Sequence, residues 1–143
     1  MRPAALALLA ALLPASAAHA LSCVNPADRA LSAPIVLLGE VVGVAPVGAL
    51  TRTPWPSGAP VTLQEYAAQV RTLETMRGSA PSTVTYLFRD KRINCDFDRP
   101  VRPGERVVLT LTPRRRADGS LTAPDVVNAF TPERYARLSA ASN

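Results

Sequence analysis

The chain has 143 residues, with 16 Lys or Arg against 11 Asp or Glu and a net charge of +5. That length gives one domain able to bury its own core, and a charge this moderate makes no case by itself for a nucleic-acid partner. All basic residues but Lys91 are arginine, and Ala and Pro are abundant, a bias of base composition rather than of binding.

Met1 and Arg2 form a short positive start, residues 4–13 are an unbroken Ala/Leu run of ten, and Ala18, His19 and Ala20 fit the small-x-small rule of signal peptidase. Residues 1–20 therefore read as a secretory signal, and residues 21–143 as the mature domain of a secreted or periplasmic protein. Removing twenty of the 143 residues leaves 123, and Arg2 goes with them, which lowers the charge from +5 to +4. Ten apolar residues are too few to cross a bilayer, which takes about twenty, and no other stretch comes closer, so no transmembrane segment is expected. Acylation of Cys23 would want a leucine-like residue three positions earlier and a small one two earlier, where Ala20 and Leu21 stand. Ala20, Leu21 and Ser22 also satisfy the small-x-small rule, so the mature chain begins at Leu21 or at Cys23.

The two cysteines, Cys23 and Cys95, read as one disulfide in an oxidising compartment. Closing a loop of about seventy residues would stabilise the fold by roughly 4 kcal/mol. A reactive or metal-binding pair would want CxxC spacing, which is absent.

Asn25, Pro26 and Asp28 mark a short helix ending near Ser32: a cap, a proline at the first turn and an early acid. The run from Pro34 to Ala45 follows, almost all aliphatic, with one charge and glycines at 39 and 43. It is a buried strand bent at its glycines, around which a small closed sheet can form. Residues 46–60 carry four prolines and two glycines and read as irregular, with Trp55, the only tryptophan, between Pro54 and Pro56. Trp55 is a candidate partner contact, or else a lid over one mouth of a barrel. Residues 61–77 carry both periodicities, with Leu63, Tyr66, Ala67, Val70 and Leu73 on one helical face and Tyr66, Ala68, Val70 and Thr72 alternating as in a strand.

Gly78 to Pro81 is a turn, residues 82–88 are a Thr/Val/Tyr/Phe strand, and residues 89–94 are a charged lead into Cys95. The Pro103-Gly104 pair makes a type II turn that launches a buried strand over residues 107–111. Residues 113–120, with Asp118 and Gly119, read as a hairpin connection whose tip carries Arg114, Arg115 and Arg116. Residues 121–130 return as a strand. Thr131, Pro132 and Glu133 start a last helix, with Phe130 and Tyr135 placed as a hydrophobic staple.

Cys23, the run from Ile35 to Val44 with Gly39, Glu40, Val41 and Val42, the turn from Met76 to Pro81, Cys95, and the segment from Val101 to Val107 together resemble bacterial secreted proteins with a netrin-like fold. The resemblance covers nearly all of the mature chain. It implies a mainly β domain, a five-stranded OB-fold-like closed barrel with short N- and C-terminal helices, related to the tissue inhibitors of metalloproteinases. It also implies that residues 66–76 form a strand. In those inhibitors the amine and carbonyl of an N-terminal cysteine chelate the target's zinc, and Cys23 with Val24 stands at the matching place. A chain starting at Leu21 would block that amine, and the inhibitors' second near-terminal cysteine is absent.

The only histidine, His19, lies in the signal, so the mature chain lacks imidazole for nucleophilic catalysis or zinc. Asp90, Asp96 and Asp98 would suit calcium by oxygen chemistry, but they lack a glycine-bearing calcium-loop spacing and read as a charged turn matched by Arg89, Lys91, Arg92 and Arg99. No catalytic residue, metal or cofactor is expected. The functional expectation is a secreted, non-enzymatic binding module for a protein partner, with a zinc endopeptidase as the target the resemblance implies. The alternative is a binder of anionic polymer or cell-envelope glycan through Arg114, Arg115 and Arg116 with Arg89, Lys91 and Arg92. Sequence-specific nucleic acid is not expected, because few aromatics are interleaved with the arginines.

Overall fold

The computed structural model describes residues 26–54, 57–91, 99–115, 117–119 and 121–142. The aliphatic run after Pro34 becomes β1 (Ile35–Arg52), the central strand of the sheet. Its first part, Ile35 to Glu40, lies antiparallel to β4 (Arg106–Arg115), while its whole length lies antiparallel to β2 (Val61–Arg77). β3 (Thr83–Arg89) adds to the far side of β2 and β5 (Leu121–Phe130) to the far side of β4, giving the order β3-β2-β1-β4-β5. All four ladders are antiparallel. The outer strands β3 and β5 approach within 8 Å between Cα atoms, but among the described residues no ladder joins them, so the paired sheet is open.

Gly39 sits at the crossing point, and its missing side chain has a packing reason. A Cβ there would stand 2.4 Å from Val70 Cγ1 and 3.0 Å from the Arg71 carbonyl oxygen. The bends expected at the glycines take the form of register shifts at Leu38/Gly39 and Val41/Gly43, with others at Val36/Leu37 and Pro46/Gly48. Residues 46–52, read from their prolines and glycines as irregular, belong to β1. Past Val41 that strand has β2 as its partner and, among the described residues, no ladder on the β4 side, and a proline is tolerated where no N–H is required. Residues 61–77 form a strand throughout, because β1 pairs along its length and β3 satisfies the other side of its middle, Glu65 to Arg71.

The Pro103-Gly104 turn is type II, with Gly104 at φ +82° and Glu105 N–H donating to Arg102 O at 3.1 Å. It is stitched to β1, as Val41 N–H donates to Glu105 O at 2.9 Å and Gly104 N–H to Val41 O at 2.7 Å. At the β4–β5 hairpin Arg114 and Arg115 are not at the tip but in paired strand, with Arg115 opposite Leu121. The reversal is made further on by Asp118 and Gly119, and Gly119 has φ +82°.

The sheet buries two clusters. On the inner face Leu37, Val41, Val70, Leu109 and Leu111 are out of water, with Tyr86, Phe88 and Tyr66 stacked over them. On the outer face Val36, Val108 and Phe130 are covered by α1 (Pro26–Ser32) and α2 (Pro132–Ala140). Thr131 caps α2 by accepting from Arg134 N–H at 3.2 Å, and the Phe130 and Tyr135 rings meet at 6.2 Å as a staple should. The C-terminal end of α1 is held by Arg77, whose guanidinium donates to Leu31 O at 2.7 Å and, just past the helix, to Ala33 O at 2.9 Å.

Candidate functional site

α1 and α2 cover the outer face only over the first part of β1 with β4 and β5. Neither helix covers the other half, built by the second part of β1 with β2 and β3, where Val42, Ala45, Val47 and Leu87 are exposed while Leu63, further along β2, is buried. Facing there follows from pairing. Tyr66, Ala68 and Val70 of β2 turn to the inner core, so Glu65, Ala67 and Gln69 turn outward, and so do their partners Gly48, Ala45 and Gly43 on β1. In β3 the same alternation puts Tyr86 and Phe88 inside and Thr85 and Leu87 outside. Ala45, Ala67 and Leu87 therefore form one row across three strands.

Two further side chains join this row because β1 bulges. The register shifts at Val41/Gly43 and Pro46/Gly48 leave Val42 and Val47 without partners on β2, and they stand 54% and 58% exposed. Leu87 is also 58% exposed, so three of the five large exposed apolar side chains of the described chain gather on this half-face. Single exposed apolar residues are ordinary, whereas a group of them with a polar rim marks a contact surface. The rim is present: Arg71 pairs with Glu40 at 2.7 Å, Arg89 reaches Glu65 at 3.8 Å, and Gln69 donates to Thr85 Oγ1 at 3.1 Å.

The neighbouring edge of β1 is poorly suited to adding a strand. Its two bulges and Pro46 interrupt the regular row of donors that an incoming backbone would need. No family model matches the chain, and neither a curated protein nor a solved structure matches it significantly.

Elsewhere, Glu105 divides two shallow concavities of about 430 and 540 Å³. Its carboxylate is already engaged, accepting from the Arg99 guanidinium and from Arg102 N–H, and Tyr86 Oη both accepts from Arg99 N–H and donates to Arg99 O. These bonds fasten the segment before β4 to β3, a structural task. Among the described residues no group of three His, Cys, Asp or Glu side chains is arranged to hold a metal, and no helix is long and apolar enough to cross a membrane. Asp90 is used locally, its Oδ1 accepting from Gln64 N–H at 3.0 Å.

Of the residues singled out from sequence, Arg114 lies exposed in β4 and Arg115 contributes to the same strand. Cys23, Val24, Trp55, Arg92, Cys95, Asp96, Asp98 and Arg116 lie outside the described residues. The bare half-face was missed because no local pattern announces which side of a strand stays uncovered. One signal was present, the dipeptide Val-Gly at 42–43 and again at 47–48, each falling on a bulge.

Proposed function

We propose that this chain is a secreted, non-enzymatic binding module of the netrin-like, OB-fold kind, and that its partner is a protein docked on the bare half of the outer face. The observation that carries the reading is the cluster of Val42, Val47 and Leu87 beside Ala45 and Ala67, apolar, exposed and rimmed by charges neutralised in pairs. A patch of this make-up matches the core-and-rim anatomy of protein interfaces. Closure of the sheet into a barrel belongs to the same proposal and is supported by the strand order and the approach of β3 to β5. Inhibition of a zinc endopeptidase would rest on Cys23 and Val24 and therefore on where the mature chain begins.

The test is capture of protein from the native secretome by the immobilised chain, against Val47→Lys and Leu87→Lys. Loss of the captured partner in both variants, with unchanged urea midpoints, is expected. Equal capture by both variants would remove the half-face from the reading. No captured protein, together with a turnover activity abolished by single substitutions, would remove the binding module altogether.

A further inference from the structure

The bare half-face carries notches as well as knobs. A Cβ built on Gly43 or Gly48 would meet nothing within 4 Å, and neither glycine has a positive φ, so neither packing nor backbone conformation requires glycine there. Glycine weakens a strand by roughly 0.5–1 kcal/mol relative to Ala, and an unexplained one often marks close approach by another chain. Along β1 the knobs and notches repeat at a fixed interval: Val42 then Gly43, and five residues on, Val47 then Gly48.

That interval makes the face complementary to itself. When two copies lay their outer faces together with β1 strands antiparallel, Val42 of one stands over Gly48 of the other and Val47 over Gly43. Both relations then repeat by symmetry about Ala45. The row Ala45, Ala67 and Leu87 lies on the axis, where two small residues let the sheets come close and Leu87 meets its own counterpart. Beside the axis Gln69 comes over the Glu65–Arg89 pair, which leaves no unmatched charge in the contact. We infer that the partner received by this face is a second copy of the chain, in an isologous two-fold dimer with Val42 and Val47 seated in the Gly48 and Gly43 notches. The inference rests on the reading of this half-face as a protein-docking surface and names its occupant. A contact this small belongs with weak, reversible interfaces, with a Kd on the order of tens of micromolar.

Sedimentation velocity of the secreted chain from about 5 to 500 µM, a range bracketing that Kd, tests it with three variants. Gly48→Val fills a notch where the fold has room, so its urea midpoint stays at or above wild type while the dimer Kd rises at least about tenfold. Val47→Lys abolishes the dimer. Val42→Gly combined with Gly48→Val exchanges knob for notch at both symmetric contacts and brings the Kd back to within about threefold of wild type. A wild-type chain that stays monomeric throughout overturns the inference; if that monomer still captures a different protein through Val47 and Leu87, the docking surface stands and only its occupant is wrong. Dimerisation undiminished in Gly48→Val also overturns it, as does a folded exchange variant that remains monomeric. If the exchange variant does not fold, the two single variants decide.

Discussion

Gly39→Ala tests whether the crossing point of the sheet is as tightly filled as the geometry requires. Carbon atoms pack at about 3.5–4.0 Å, so a Cβ placed 2.4 Å from Val70 Cγ1 overlaps it by more than 1 Å. Val70 is wholly buried and β-branched, with little rotameric freedom, and the Arg71 carbonyl at 3.0 Å is fixed in the β1–β2 ladder. Overpacking of this kind costs about 1–3 kcal/mol, while replacing Gly stiffens the unfolded chain and returns about 0.4–1 kcal/mol. The net expectation is a loss of about 1–2 kcal/mol in urea unfolding and a Tm lower by about 5 °C. Val70→Ala alone deletes two methyl groups and costs about 2 kcal/mol, but it also removes the obstructing atom, so the double variant should fall short of the summed losses by about 1 kcal/mol. Gly43→Ala and Gly48→Ala serve as controls and should match or slightly exceed wild type. A Gly39→Ala chain as stable as wild type, or strictly additive losses in the double variant, would refute the reasoning.

Arg77→Ala should unfasten α1 from the sheet and cost about 1 kcal/mol, a modest figure because the guanidinium is largely in water; unchanged helix content by far-ultraviolet circular dichroism would count against it. Tyr86→Phe removes the acceptor of Arg99 N–H and the donor to Arg99 O, for an expected loss of about 1–3 kcal/mol in urea, and an unmoved midpoint would show that the hydroxyl is dispensable. Cys95→Ser, or reduction, is expected to cost about 2–5 kcal/mol, whereas two titratable thiols in the folded secreted protein would abolish the disulfide reading. Intact mass of the secreted chain decides between Leu21 and Cys23 as first residue. A Leu21 start leaves an amide where the inhibitors' zinc-chelating amine would be, and a Cys23 start calls for an assay against zinc endopeptidases with acetylation as the control.

The parts legible in the sequence were those whose cause is local. The Pro103-Gly104 turn, the Thr131 cap with its Phe130–Tyr135 staple, and the aliphatic run of β1 each declare themselves within a few residues. Residues 46–52 misled because proline and glycine usually punctuate a chain, and nothing local says that one side of β1 has no ladder past Val41 and can accommodate Pro46. Residues 61–77 satisfied two periods at once, and only neighbours on both sides settle which one is used. Arg114 and Arg115 were placed at a tip because the connection was read as starting at Pro113, whereas β4 runs on to Arg115 and the reversal lies at Asp118 and Gly119. The exposed half-face needed three strands in register before Ala45, Ala67 and Leu87 could be seen as neighbours.

Because β1 is the central strand, between β2 and β4, it also sets the order in which the chain can acquire its structure. The β1–β2 hairpin joins residues close in sequence, from Arg52 opposite Val61 outward, and hairpins of this kind form in about 1–10 µs. The β1–β4 ladder brings Ile35 to Leu111 and must wait for most of the chain to be gathered, at a loop-closure cost in entropy that nothing local repays in advance. We therefore expect the folding barrier to lie at the arrival of β4 on Ile35 to Glu40. Conservative truncations such as Val107→Ala in β4 and Leu50→Ala in the hairpin formed before it would then mainly slow refolding and leave unfolding little changed; stopped-flow kinetics giving the reverse pattern would place the nucleus elsewhere. A chain truncated before residue 111 would hold a formed hairpin with nothing to close against.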